Sequence, residues 1–154
     1  MAACKGDIDA VEFCMQIMYI GQLWDDLIDR DKIRGDAEIN AAFTMVLGFL
    51  PQNRFYRQHM DSLTPVIVNA ALKWQNANTL ERGNDDHRMI AWIIRQSLGD
   101  IFHYVMFLVG GYGWALEHGP VFFADACPDI VAKYEEFKTE MATKYPIKED
   151  APCL

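Results

Sequence analysis

The stretch "GQLWDDLIDRDKIRGD", Gly21 to Asp36, decides how this chain is read. It closes a segment that is apolar almost all the way round a helical projection: Ile8, Val11, Phe13, Cys14, Met15, Ile17, Met18, Ile20, Leu23, Trp24, Leu27 and Ile28. That pattern predicts a first helix over Asp7–Asp31, central rather than peripheral. Yet Asp25, Asp26 and Asp29 fall where this core helix is still running. Residues three and four apart share a helix face, so Gln22, Asp26 and Asp29 form a narrow polar stripe with Asp25 beside it. A buried carboxylate without a partner costs several kcal/mol, and a helix C-terminus disfavours negative charge. The stripe therefore needs water, a cation or basic side chains, of which Arg30, Lys32 and Arg34 are near in sequence.

Outward from this stretch the periodicity stays helical, and no segment alternates with period two between hairpin turns. "KIRGD" breaks the first helix at Gly35. A second helix is expected over Asp36–Leu50, stopped by Pro51, followed by a short helical piece over Gln52–Asp61. Thr64-Pro65 reads as the N-cap and first residue of a further helix reaching Thr79. The polar run "NANTLERGNDD" reads as a loop in which Asn84 or Asp85 caps a long helix, Asp86–Val109, ended by Gly110-Gly111. An amphipathic helix over Pro128–Lys144 follows, with residues 145–154 as a tail. The expectation is one all-α domain, a compact bundle of about six helices over residues 1–144, in keeping with a length of 154 residues.

The Asp86 helix carries a second stripe, Gln96, Asp100 and His103, in apolar surroundings. If the two helices are neighbours, the stripes face each other across a polar cleft. Carboxylate oxygens with room for water suit Mg²⁺, and a nearby imidazole tolerates softer metals. The alternative is a solvated helix end, and spacing alone leaves the two readings level. His59, His87 and His118 fall near helix ends; His103 alone lies mid-helix, where a satisfied buried histidine is the commoner outcome.

Composition narrows the field. The chain is 51% hydrophobic with a net charge of −8, which argues against a phosphate-backbone binder or an anionic-membrane binder. No nucleic-acid partner is expected, and a polyanionic ligand would need a bridging cation. Cys4, Cys14, Cys127 and Cys153 are scattered and read as free thiols of a reducing compartment. Without a secretory pattern or a run of about 20 apolar residues, a cytoplasmic chain with no membrane span is the expectation. No GxSxG, P-loop, Rossmann glycine pattern or HExxH is present.

"DDLIDRDKIRGD" closely resembles the first aspartate-rich motif of class I isoprenoid (polyprenyl diphosphate) synthases, a DDxxD at a helix end followed by an arginine-containing turn. "RQSLGDIFHYV" resembles the second motif of that family more loosely. The resemblance implies a helical bundle around a deep cavity, with Asp25 and Asp29 as Mg²⁺ ligands, Asp26 close behind, and Asp100 as a further ligand. It implies that Arg34, Gln22, Gln96 and His103 contact a diphosphate substrate. Ile33 stands where a second arginine is usual, Gly99 replaces the first aspartate of the second motif, and His103 replaces its last. The chain is also about half the length of a complete synthase. The function so implied is Mg²⁺-dependent binding of a prenyl diphosphate, with or without turnover. The alternatives are a non-catalytic helical interaction protein on a degenerate synthase fold, homodimeric in its simplest form, and an all-α nucleotide pyrophosphohydrolase. The latter would use Asp26 and Asp29 with Asp85 and Asp86, while Glu135, Glu136 and Glu140 read as a solvated face.

Overall fold

The computed structural model describes residues 2–30, 32–126 and 128–146. Cys127, Cys153, Asp31 and all but the first two residues of the expected tail lie outside the described residues. The described chain is helical, without a strand. A 3₁₀ turn, Ala2–Cys4, precedes α1 (Ile8–Asp29) and α2 (Asp36–Thr44). A π-helical turn (Met45–Phe49) and the single turn α3 (Leu50–Gln52) lead to α4 (Arg54–Leu80), α5 (Asp85–Arg95), α6 (Leu98–Ala126) and α7 (Ile130–Lys144). Five of these helices exceed ten residues, and no helix is long and apolar enough to cross a membrane.

Local chemistry sets most boundaries. Asp7 caps α1 by accepting from the Ala10 N–H at 3.0 Å, and Arg30 closes it in the left-handed region at φ 57°. Glu38 accepts the Gly35 N–H at 3.0 Å at the start of α2. Asn53 accepts from the Tyr56 N–H and donates to the Asp9 carbonyl, both at 2.8 Å, tying the start of α4 to the start of α1. Asn84 caps α5 through the His87 N–H at 2.9 Å. At the far end Arg88 is buried and clasps two helix ends, donating to the Glu81, Met141 and Tyr145 carbonyls.

Three expected boundaries are corrected. Thr64 caps nothing, because the two expected helices on either side of it are one, α4, with the exposed Pro65 inside it. A proline in a helix interior costs about 3 kcal/mol. The offset comes from a continuous seam, Phe55, Leu63, Ala70 and Ala77, all buried and repeating every seven or eight residues across the proline. The expected Asp86–Val109 helix instead breaks at Gln96-Ser97. Ser97 is buried there and its hydroxyl donates to the Ala70 carbonyl at 3.1 Å, so the break is pinned against α4. The expected stop at Gly110-Gly111 is a reversal: Gly111 adopts φ 80°, ψ −177°, a region open to glycine alone. On a straight helix residues 103 and 123 would lie about 30 Å apart, yet the His103 and Phe123 rings are 5.3 Å apart. α6 is therefore a hairpin, its arms 98–110 and 112–126 packed together.

Two apolar clusters result. The larger joins Ala10, Phe13 and Ile17 of α1 to Phe55, Leu63 and Ala70 of α4 and to Ile101 and Val105 of α6; Phe13 stacks on Tyr56 at 5.6 Å. The smaller joins Ala77, Ala91, Phe137 and Met141, with Trp92 packed on Tyr134 and Phe137. Gly111→Ala forces a side chain into the reversal and is expected to lower stability by about 1–3 kcal/mol in urea unfolding. Gly113→Ala, in open helical backbone two residues on, is expected to leave stability unchanged or raise it by up to about 1 kcal/mol.

Candidate functional site

Between the two apolar clusters the packing leaves a cavity of about 330 Å³. Ile17, Ala70 and Ile101 reach it from the larger cluster, Trp92 and Phe137 from the smaller, and Trp24 and Trp74 form an aromatic wall with ring centroids 4.4 Å apart. Small residues make the room. Ala70 and Ala71 keep α4 thin, and a Cβ at Gly21 would come within 3.1 Å of the Leu98 side chain, so the glycine lets α1 sit close against the start of α6. Among this mostly apolar lining stand Gln22, Asp25, Arg95, Gln96 and Ser97.

The polar edge of the cavity is built around Arg95. Its guanidinium donates to Asp25 at 3.0 Å, to Asp29 at 2.7 Å and to Glu81, and lies 5.6 Å from the Trp74 ring. The Trp74 indole N–H also donates to the same Asp25 oxygen, at 2.8 Å. Glu81 is 2% exposed, so its charge depends on Arg95, whereas the Asp25 side chain is 42% exposed. Three carboxylates thus share one guanidinium, with the Lys144 ammonium at 4.0 Å from the outer oxygen of Asp29. Negative charge is in excess at this edge. Asn78 lies on α4 between Trp74 and Glu81, at spacings of four and three, on the helix face that meets Arg95; its solvent-shielded side-chain oxygen has no hydrogen-bond partner.

The remaining residues singled out in the sequence are divided among other places. Asp26 is buried and turned away from Asp29 toward Arg34, which donates to it through both Nε (2.8 Å) and Nη2, with Lys32 at 3.3 Å. The Arg34 guanidinium beside Asp26 holds its carboxyl below the usual carboxylate range. Arg34 also donates to Glu38 at 2.6 Å, so its charge is committed on both sides. Asp100 pairs with Lys73 at 2.6 Å. Asp100 and His103 line a separate cavity of about 320 Å³ with Val66, Tyr104, Phe107 and Tyr112. The His103 ring packs over Gly119, where a Cβ would come within 2.8 Å, and its Nε2 lies 3.4 Å from the Ala115 carbonyl oxygen.

The expected facing of two stripes is thus corrected. Gln22 and Asp25 do share a cavity with Gln96, but the break at Gln96-Ser97 carries Asp100 and His103 to the other side of α6. The pairing of Asp26 with Asp29 is corrected too, since neighbouring residues at a helix end point to different partners. Glu135 pairs with Lys138 at 2.7 Å on the exposed face of α7, and Asp85 is exposed at the start of α5. Arg95, Glu81 and Trp74 were not singled out by the sequence reading. The only signal for Arg95 was a basic residue one position before Gln96 in the second stripe.

As for a divalent cation, no group of three or more His, Cys, Asp or Glu side chains is arranged to hold a metal among the described residues. Mg²⁺ commonly takes only one or two carboxylates and completes its octahedron with water and phosphate oxygens. Asp25 and Asp29, one turn apart and each with an oxygen outside the Arg95 bonds, fit that smaller role.

The Asp26 contact has a pH signature. Its depressed folded-state value contributes stability that is present above the unfolded value, about pH 4, and is lost as the pH falls through the lower folded value. Arg34→Gln is therefore expected to destabilise the chain at neutral pH, with the difference from wild type shrinking below about pH 4. Urea unfolding at a series of pH values reads this directly; a difference unchanged down to full protonation would contradict it. No protein-family model matches the chain, nor does any curated protein or any solved structure.

Proposed function

We propose that the cavity between the two clusters binds the apolar chain of a prenyl diphosphate, or a ligand of the same build, with its anionic head at the Asp25–Arg95 edge. The observation that carries this reading is one juxtaposition: an apolar, tryptophan-walled cavity lined by Asp25 and Arg95, whose guanidinium also holds Asp29 and the buried Glu81 behind that edge. An apolar interior alone would suit any greasy ligand. Its union with a carboxylate pair on α1 suits an anion that arrives with Mg²⁺, and the resemblance of "DDLIDRDKIRGD" to the first motif of the isoprenoid synthases supports the same head group.

In this reading Asp25 and Asp29 hold the metal, and Arg95 lies beside them as a hydrogen-bond donor to a phosphate oxygen. When bound, the metal supplies charge neutralisation and Lewis acidity toward a diphosphate leaving group. The walls do the rest of the work. Trp24, Trp74, Trp92 and Phe137 exclude water and offer ring faces that favour positive charge developing on the chain. At about 330 Å³ the cavity lies at the small end of ligand sites, which run from about 300 to 1,000 Å³. A short prenyl chain fits that volume better than a long one. Arg34 and Asp26 act in this account as the strut that ends α1, and Asp100 and His103 take no part.

A second reading rests on a different observation. Phe43, Val46, Leu47 and Phe49 of α2 and the π turn are exposed, a feature of helical interaction proteins.

Calorimetric titration of a short prenyl diphosphate is the test. Binding is expected only with Mg²⁺ present and is expected to weaken at least tenfold in Asp25→Ala/Asp29→Ala, a loss of about 1.4 kcal/mol or more. Ala71→Phe, which fills the cavity from α4, is expected to weaken the prenyl ligand while sparing inorganic diphosphate. Equal binding with and without Mg²⁺, or a prenyl ligand indifferent to Ala71→Phe, would overturn the reading.

A further inference from the structure

A second cavity, formed where α6 folds back on itself, plays no part in the prenyl reading. On the arm 98–110, Asp100, His103, Tyr104 and Phe107 recur at helical spacings of three and four, and this one face lines a space of about 320 Å³. The reversal at Gly111 brings Tyr112, Ala115 and Leu116 of the second arm to the same space, and α4 adds Val66. Much of the lining is aromatic. The Tyr104 and Phe107 rings stack with centroids 5.7 Å and planes 25° apart. Phe107, Tyr112 and Leu116 stay 42%, 72% and 56% exposed, so solvent reaches the space and a guest there would cover apolar area that the fold leaves open.

We propose that this cavity binds a small organic cation of the arylalkylammonium type, with its ammonium on Asp100 and its aromatic body among Tyr104, Phe107, Tyr112 and Leu116. The site is separate from the Asp25–Arg95 edge and does not depend on what binds there.

Charge sets the sign of the guest. Among the described residues that line the space, Asp100 is the one carboxylate and there is no lysine or arginine. Lys73 reaches Asp100 from α4 at 2.6 Å without lining the cavity itself, and it takes Oδ2, which leaves Oδ1 outside that bond. The Lys73 and Asp100 side chains are 37% and 48% exposed. An ion pair this exposed is weak, so the carboxylate is open to a second cation. Aromatic rings attract positive charge over their faces, and a carboxylate accepts the ammonium N–H, so the lining offers both halves of ammonium recognition. An anion would meet Asp100 with no lining cation to hold it. The stacked pair of Tyr104 and Phe107 favours an aromatic body over an aliphatic one.

The test follows methyl and indole signals of the full chain by NMR during titration with phenethylamine, phenethyl alcohol or phenylacetate, which share a phenyl body and differ in charge. Phenethylamine is expected to shift the Val66, Ala115 and Leu116 methyl signals saturably, with an affinity about tenfold or more above that of the alcohol. Phenylacetate is expected to leave those signals in place, and the Trp74 indole signal, at the other cavity, to stay fixed under all three. Asp100→Asn is expected to weaken the amine about tenfold or more. Lys73→Ala, which removes the competing cation, is expected to keep or tighten it. No shift with the amine, or an alcohol or carboxylate that binds as well, would overturn the proposal. So would amine binding that survives Asp100→Asn, that is lost in Lys73→Ala, or that moves Trp74 instead. The comparison of the three ligands uses the wild-type chain and decides the matter even if a variant folds poorly.

Discussion

The Arg95 guanidinium is the constraint on which the rest of the molecule turns. It sits on the last residue of α5 and reaches Glu81 at the end of α4 and Asp25 and Asp29 near the end of α1. Three helices are thereby held at one point, beside the cavity that Arg95 and Asp25 line. Glu81 is the buried member, and removing Arg95, its ion-pair partner, would leave a desolvated charge costing about 3–5 kcal/mol. The same arrangement leaves Asp25 part-exposed at the cavity edge, where Arg95 is already shared. A structural ion pair and a ligand-ready edge are two sides of one side chain.

The cavity follows from what surrounds this point. The two apolar clusters are each well filled, by Phe13, Leu63 and Val105 in one and by Phe137 and Met141 in the other. Where they meet, α4 presents Ala70 and Ala71, and the chain turns out of α5 at Gln96-Ser97 rather than continuing. Large rings then stand around a space they do not fill. Ser97, bonded to the Ala70 carbonyl, keeps that turn in place, and the glycine at 111 sends α6 back on itself so that its second arm covers the first. The reversal sets the part-buried His103 ring against Gly119, on the side of α6 away from that cavity.

Much of this was legible in the sequence where one local signal decides. Helical periodicity gave the all-α class, Asp7 and Asn84 marked helix starts, and Gly110-Gly111 marked an interruption but not the second helical arm that turns back beyond it. The misreadings share a cause. Thr64-Pro65 has the chemistry of a helix start, but the seam from Phe55 to Ala77 carries α4 through it, and that seam is a tertiary fact. Gln96-Ser97 has no glycine or proline to announce a break; a hydroxyl bonded to a distant carbonyl makes it. The polar stripe of Gln96, Asp100 and His103 assumed a straight helix and dissolved with it. Asp25, Asp26 and Asp29 were visible as a group, but their partners were not, because Arg95 lies 66 residues beyond Asp29 and meets it only in the fold.

The central claim is that charge at the Arg95 edge and the apolar cavity act as one ligand site. The four tryptophans allow a direct measurement. The Trp74 indole N–H donates to Asp25, Trp24 and Trp92 line the cavity, and the Trp114 N–H donates to the Ala3 carbonyl far from it along the fold. In a ¹⁵N-resolved spectrum of the indole groups, titration with Mg²⁺ and a short prenyl diphosphate should move the Trp74 signal most, shift Trp24 and Trp92 with it, and leave Trp114 in place. A Trp74 signal that stays fixed while ligand binds, or four signals that move alike, would contradict the account.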